Sequence, residues 1–440
     1  MASRVAIIGG YGGMGRIFAR LFKEEGFDVT VTGPTERKGR KAAEELGVSY
    51  SRDNAGAAST ADIVIVTVPI SVTVDIIKEV APHVREKSLL MDLTSIKEGP
   101  CKAMLNHSGK GVEVLGCHPI FGPRVGGLEN QVLVLTSLRG TKWTQKVRKI
   151  FEARHARVYE STPEEHDRIM AVVQGLTHFS YISFAKALKD LNFDIKKSRK
   201  FSSPVYELML DMVGRIIGQD PHLYAEIQFM NPHVGEAHEA FLRSVSELKD
   251  IVREKDEKSF VQTMAEAAKN FDDVDSAMGR SDKAISSLAA ELKALKESVG
   301  REICLCHIYS GKCHLGIVKT VTPESVTLED MGKESTLKLS NVKVLSEEDR
   351  IEFKVQKYGA SSRDFSVLLQ DNADEKFISK ILSEHNPEII GVTVKDVYRS
   401  DKLGRNLKSV CFSVEFINQR RKGKEDSIRD FFSRIGGNIR

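Results

Sequence analysis

The sequence predicts an α/β Rossmann-type nucleotide domain, then an all-α domain, then a small β-barrel and a ferredoxin-like α+β domain. Three patterns carry that expectation. A short apolar strand, Arg4–Gly9, runs into Gly10-Tyr-Gly12-Gly13-Met14-Gly15 and then into a helix-spaced segment. After Thr162 the apolar residues take up helical spacing and keep it to about residue 298. Beyond that point short alternating strands and turn residues take over. The expected domains are 1–155, 156–299, 300–346 and 347–440.

A chain of 440 residues can bury several cores. Its net charge is only +4, which gives no global bias toward nucleic acid or membrane surfaces. No apolar run approaches the ~18–20 residues of a membrane span. The N-terminus enters a strand at Val5–Ile8 with no signal-peptide succession. The six cysteines, Cys101, Cys117, Cys304, Cys306, Cys313 and Cys411, are few and irregularly spaced. That usage points to a reduced, cytoplasmic protein rather than a disulfide scaffold.

In the first domain, Gly10, Gly12, Gly13, Met14 and Gly15 fit G-x-G-x-x-G between a strand and a helix (Ile17, Phe18, Leu21, Phe22). The glycines permit a tight turn and close approach of a pyrophosphate, and the helix N-terminus offers it donors. Further strands are expected at Asp28–Thr32, Ile63–Val68 and Leu89–Leu93, the second of these running into a loop at Pro69 that would border the cofactor. An NAD site usually has a carboxylate at the end of the second strand. This chain has Thr32-Gly33-Pro34-Thr35 there, with Glu36 and Arg37 following. Thr35 and Arg37 suit a 2′-phosphate, so NADP is favoured over NAD. The competing reading is that Arg37 and Lys38 simply begin a solvated helix face.

Gly116-Cys-His118-Pro-Ile-Phe-Gly-Pro-Arg124 is the most informative stretch. Proline fixes its own φ and restricts the residue before it, so His118 is held rigidly between short strands. A rigid neutral imidazole beside a nicotinamide can take a proton as hydride leaves. Alone, the same residues read equally as a surface His-Pro turn.

Helices are expected over Asp167–Leu191, Ser203–Ile217, Pro221–Phe229, Gly235–Glu254 and Asp256–Asn270. A helical block in this position supplies a substrate cleft and a dimer interface. Two polar groups stand out in it. His178 lies in Gln174-Gly-Leu-Thr-His178-Phe, and Arg215 is a cation within Met212-Val-Gly-Arg-Ile-Ile-Gly218. A buried arginine needs an anion. The alternatives are a satisfied core histidine and a structural ion pair.

Gly9–Gly15, Asp92-Leu-Thr-Ser-Ile-Lys97, Gly116–Pro123, Glu165-His-Asp167, Gln174–Phe179, Ser203-Pro-Val-Tyr206 and Met212–Tyr224 follow one another over about residues 4–275. In that order they resemble the prephenate dehydrogenase family of tyrosine biosynthesis. The resemblance implies that His118 takes the proton of the prephenate ring hydroxyl and that Ser95 helps to orient it. It also implies that Arg215 binds a substrate carboxylate and that His178 and Gln174 line the same pocket. Hydride would pass to NAD(P)+, and loss of CO2 would complete aromatisation to 4-hydroxyphenylpyruvate. Arogenate, with an amino in place of the keto side chain, is the alternative substrate. A homodimer is expected. One departure is Arg124, where some relatives carry an acidic residue.

Asp282–Val299 reads as a charged linker helix, and 300–346 as the small β-barrel. Cys304-x-Cys306-His307 and Cys313-His314 match no standard zinc spacing, so no metal is expected. Residues 347–440 read β-α-β-β-α-β. Ser362–Phe365, Asp396–Arg399 and Lys408–Phe416 resemble the ferredoxin-fold anticodon-binding domain of the phenylalanyl-tRNA synthetase beta chain. From Lys395 onward cations outnumber acids: Lys395, Arg399, Lys402, Arg405, Lys408, Arg420, Arg421, Lys422, Lys424, Arg429 and Arg434. A basic face would suit RNA. A structural or dimerising module is the favoured reading, and sensing of tyrosine as an effector is a third.

Overall fold

A computed structural model describes residues 2–271, 273–308, 310–386, 388–404, 406–419 and 424–440. Arg405, Arg420, Arg421 and Lys422 of the basic stretch lie outside the described residues, as do the side chains of Leu288 and Lys424. The chain divides into two compact units, residues 1–285 and 286–440.

The first unit begins with strands β1 (Arg4–Ile8), β2 (Asp28–Thr32), β3 (Ser49–Ser51), β4 (Ile63–Val66), β5 (Leu89–Asp92), β6 (Glu113–Pro119), β7 (Val132–Arg139) and β8 (Arg157–Glu160). They form one sheet in the order β3-β2-β1-β4-β5-β6-β7-β8. Neighbours from β3 through β6 are parallel, β7 is antiparallel to β6, and β8 is parallel to β7. The run Ile-Val-Ile-Val of β4 is wholly buried because helices cover both faces. Phe18, Phe22, Trp143 and Phe151 fill one face, and Ile77, Val80 and Met104 the other. Strand order reverses between β1 and β4, the switch point at which open α/β sheets bind ligands.

The helical part follows at once. Thr162 caps the helix Pro163–Met170 by accepting the Glu165 N–H at 3.1 Å, and Pro163 occupies a position where no donor is needed. The long helix expected from Asp167 is continuous but loosens into a π-helical turn at Ala171–Leu176 before resuming as Thr177–Asp190. Ser203, Asp220 and Asp256 cap Pro204–Ile217, Pro221–Met230 and Glu257–Lys269. Val234–Glu254 lies between the last two. The expected linker helix begins earlier, at Val274, and runs to Glu297.

In the second unit, β9 (Glu302–His307), β10 (Cys313–Val321), β11 (Ser325–Asp330), β12 (Lys333–Lys338) and β13 (Val342–Val344) make an antiparallel sheet in the order β12-β11-β10-β9-β13. Leu305, Val318, Val326 and Leu328 form its core. Then β14 (Ala360–Gln370), β15 (Ile389–Arg399), β16 (Leu407–Ile417) and β17 (Asn438–Ile439) pair as β15-β16-β14-β17, with helices Glu375–His385 and Lys424–Arg434. This is the expected ferredoxin-like plait.

Two expectations need correction here. Cys306 and Cys313 form a disulfide, departing from the reduced state expected; β9 and β10 place them directly opposite, with Cα atoms 4.0 Å apart. Cys101, Cys117, Cys304 and Cys411 are free thiols. Strand alternation puts Cys304, Cys306 and Cys313 on one face and His307 and His314 on the other. Second, the basic stretch is not a free surface throughout. Lys408 is 2% exposed, its ammonium held at 2.7 Å by both the Ala373 carbonyl and Glu375. Lys395 pairs with Asp364 and Arg399 with Asp371. Among the described residues no helix is long and apolar enough to cross a membrane.

Candidate active site

The glycine loop follows β1 at the switch point. A Cβ on Gly10 would lie 2.7 Å from the Val31 side chain, and one on Gly15 2.6 Å from the Gly10 Cα. Only glycine lets the loop, β2 and the helix Gly13–Glu24 come this close. That helix has Gly12 at its N-cap and no side-chain cap, so its first N–H groups remain available to a phosphate. A dinucleotide pyrophosphate fits this cradle. A Cβ on Gly13 would sit 2.7 Å from Pro123, so the loop leaving the His118 strand abuts the cradle. At the end of β2 the Thr35 N–H donates to the Tyr11 hydroxyl at 3.3 Å. Glu36 is engaged by Arg40 at 2.8 Å, and exposed Arg37 has no ion pair among the described residues. Past Pro69, Glu226 of the helical part accepts the Ile70 N–H at 2.9 Å and the Ser71 hydroxyl at 2.5 Å.

His118 lies inside the end of β6, paired with Val134 of β7, rather than between strands. It is 2% exposed. Its Nδ1 is 2.9 Å from Nε2 of His166, whose Nδ1 is 2.7 Å from Oδ1 of Asp167. Asp167 also accepts the Lys97 N–H at 2.7 Å and the Glu98 N–H at 2.9 Å, where the helix Glu98–His107 begins. The π-helical turn delivers Gln174, whose amide nitrogen is 3.3 Å from His118 Nε2. Burial, then His166, then Lys97 hold the His118 imidazole well below its ordinary proton affinity. Beneath it, Lys97 and Asp92 form a fully buried ion pair, joined by the Thr94 hydroxyl.

The other expected residues are placed less uniformly. Ser95 follows this buried cluster and is half-buried, but no hydrogen bond joins it to His118 among the described residues. His178 meets Tyr224 edge to face, ring centres 4.7 Å apart, and burial lowers its proton affinity. Its buried Nδ1 and the Gln174 Oε1 have no hydrogen-bond partner among the described residues. Arg215 corrects the expectation of a buried cation: it is exposed, as are its neighbours Met212 and Ile217. The helix turns that face outward in the single chain. Arg215 still bears electrostatically on Tyr224, the ring that His178 meets edge to face. The residues that sequence reasoning left without a role are His166, Asp167, Asp92 and Lys97. The signal for the first two was a capped, acidic helix start, Thr162-Pro-Glu-Glu, running into His-Asp.

A phosphate cradle at the switch point and a buried neutral imidazole beside it define a nucleotide-binding dehydrogenase. The chain belongs to the prephenate dehydrogenase family. Residues 18–160 match its nucleotide-binding domain and 162–266 its dimerisation domain, while 356–440 match the ferredoxin-fold anticodon-binding domain. A probable arogenate/prephenate dehydrogenase of Methanocaldococcus jannaschii is 42% identical over 441 residues, covering 99% of this chain and 98% of that one. The T-protein of Haemophilus influenzae is 33% identical over 51% of this chain and 55% of its own length. The crystal structure of Aquifex aeolicus prephenate dehydrogenase with hydroxyphenyl propionate and NAD+ superposes with a TM-score of 0.52 at 22% identity, over 61% of this chain and 97% of that one; it shares the fold.

Proposed function

We propose that the chain oxidises prephenate to 4-hydroxyphenylpyruvate. The observation that carries this is His118: buried, neutral, its Nδ1 engaged by His166 and its Nε2 turned to Gln174. The bound dinucleotide supplies the hydride acceptor; the favoured form is NADP+, because Glu36 is tied to Arg40 and leaves Arg37 and Thr35 for a 2′-phosphate. Gly10, Gly12, Gly13, Met14 and Gly15 would hold the pyrophosphate, with Pro69 bordering the nicotinamide side. His118 Nε2 accepts the ring hydroxyl proton as the carbinol carbon gives up its hydride. Breaking the ring carbon–carboxylate bond then releases CO2 and leaves its electron pair in the ring. The resulting phenoxide takes the proton back from His118. Ser95 and Gln174 orient the hydroxyl, while His178 and Arg215 receive the side-chain carboxylate.

Arogenate undergoes the same ring chemistry and is the second reading, supported by the double name of the 42% identical relative. The assay that decides is formation of reduced nicotinamide from prephenate or arogenate with NADP+ or NAD+. Turnover of arogenate alone would replace prephenate, and turnover of neither would end the reading. We further infer a homodimer built on the helical part, and the division 1–155, 156–299, 300–346 and 347–440. For the ferredoxin-like domain a structural or dimerising role is favoured, since Lys395, Arg399 and Lys408 are engaged by carboxylates. Salt-sensitive tRNA binding, or tyrosine inhibition lost with the domain, would establish RNA contact or effector sensing instead.

A further inference from the structure

Asp167 occupies a position from which one carboxylate can dictate the state of two imidazoles. Both its oxygens accept backbone N–H groups, from Lys97 and Glu98, so the carboxylate acts as an acceptor throughout. The His166 Nδ1 facing it at 2.7 Å therefore donates. A neutral imidazole that donates from Nδ1 presents a lone pair at Nε2. That lone pair lies 2.9 Å from His118 Nδ1, which must in turn donate. His118 is thereby left with its lone pair on Nε2, the atom beside Gln174. All three residues are at most 2% exposed, so water cannot substitute for any link. The Asp167 carbonyl is itself held by the Asn231 amide at 2.8 Å.

We propose that His166 and Asp167 are positioning residues that fix the His118 tautomer and offset the charge it acquires on taking the substrate proton. This rests on the reading in which His118 is the base. The problem the relay solves is visible in the site. Burial, then any charge on His166, then the Lys97 ammonium oppose a positive charge on His118, so the relay works with His166 neutral; the Asp92 carboxylate is already committed to Lys97. Asp167 is the remaining carboxylate linked to the ring, through His166. The proton stays on His118 until the phenoxide reclaims it, so no further transfer is needed.

The test uses the full-length chain with His166→Gln and Asp167→Asn, singly and combined with His118→Asn. Each single variant should lose roughly 10–100-fold in kcat, the scale of orienting partners at other sites. KM for both substrates should stay within about twofold, and the acid limb of kcat/KM should move to lower pH. On the His118→Asn background neither should cost anything further, because their effect passes through His118. Wild-type kcat with an unmoved limb, or an equal loss on the His118→Asn background, overturns the proposal. Asp167 also anchors the helix Glu98–His107; if Asp167→Asn does not fold, His166→Gln decides the question. Imidazole 15N spectra read the relay without any substrate: His118 should carry its proton on Nδ1, and lose that preference in His166→Gln. A wild type that turns over neither prephenate nor arogenate yet shows that tautomer would fault the substrate reading alone.

Discussion

At the scale of single residues the proposed chemistry rests on the buried His118 ring. His118→Asn should depress kcat by at least ~10²-fold, the usual contribution of a general base, with little change in KM. Near wild-type turnover would remove His118 from the chemistry. The same ring has a stability signature. Its folded proton affinity lies below that of a free imidazole at ~6.5. The unfolded chain thus binds the proton more readily, so the stabilisation is complete above pH ~6.5 and is lost as pH falls below it. Melting temperatures at pH 5.5 and 7.5 should differ less in His118→Asn than in the wild type; an unchanged difference would refute this. Arg215→Ala should act mainly on KM. An unchanged KM with a lower Tm would mark Arg215 as structural. His118 stood out in the sequence because proline and a glycine-rich context surround it. The exposure of Arg215 was not, since apolar neighbours in sequence do not say which face of a helix meets solvent. The partnership of His118 with His166 was hidden too, because 48 residues separate them and folding alone brings the two rings to 2.9 Å.

At the scale of elements, β1, β2 and the plait strands β15 and β16 lie where alternation and apolar runs placed them, and the capped helices begin at the expected Ser203 and Asp256. Local rules suffice for such boundaries. The π-helical turn escaped detection because Val172, Val173 and Leu176 satisfy helical spacing with or without an extra residue. The cross-strand Cys306–Cys313 pair needed the hairpin register, which spacing alone does not give. The glycine loop makes a direct prediction. Gly15→Ala must push the helix Gly13–Glu24 away from Gly10, and should weaken dinucleotide binding about tenfold or more, ~1.4 kcal/mol. Fluorescence titration with NADPH would show it, and unaltered affinity would mean that the cradle is looser than its geometry. At the end of β2, Arg37→Ala should shift preference from NADP+ toward NAD+; a wild type with strong NAD+ preference, insensitive to Thr35 and Arg37, would show that this strand end was misread.

For the molecule as a whole, the glycine loop, His118, His166, Asp167 and Gln174 all belong to the first compact unit. A chain ending at Val299 should therefore stay folded and keep dehydrogenase activity. Loss of activity on that truncation would make the C-terminal unit part of the catalytic assembly. The helical part also exposes large apolar side chains, Phe201 at 83% and Phe229 at 82% among them, in the region that matches the dimerisation domain. Exposure on that scale is unfavourable for a lone chain. Sedimentation should show a dimer at micromolar concentration, and Phe229→Glu should weaken it; a monomeric wild type would contradict the assignment. Sequence could mark the residues as apolar, but only the folded chain shows that they stand exposed among the described residues.

The π-helical turn at Ala171–Leu176 has a consequence for how this stretch can change over generations. A helix advances about 100° with each residue. The turn spends one residue more than the α-helix on either side of it needs. A one-codon deletion between 171 and 176 would close it into plain α-helix, leave Thr177–Asp190 facing as before, and turn Gln174 by up to that angle away from His118. Exchanging Val172 or Val173 for another apolar residue leaves the count, and so the aim of Gln174, as it was. Here the spelling is free to drift while the length acts as a fixed gauge.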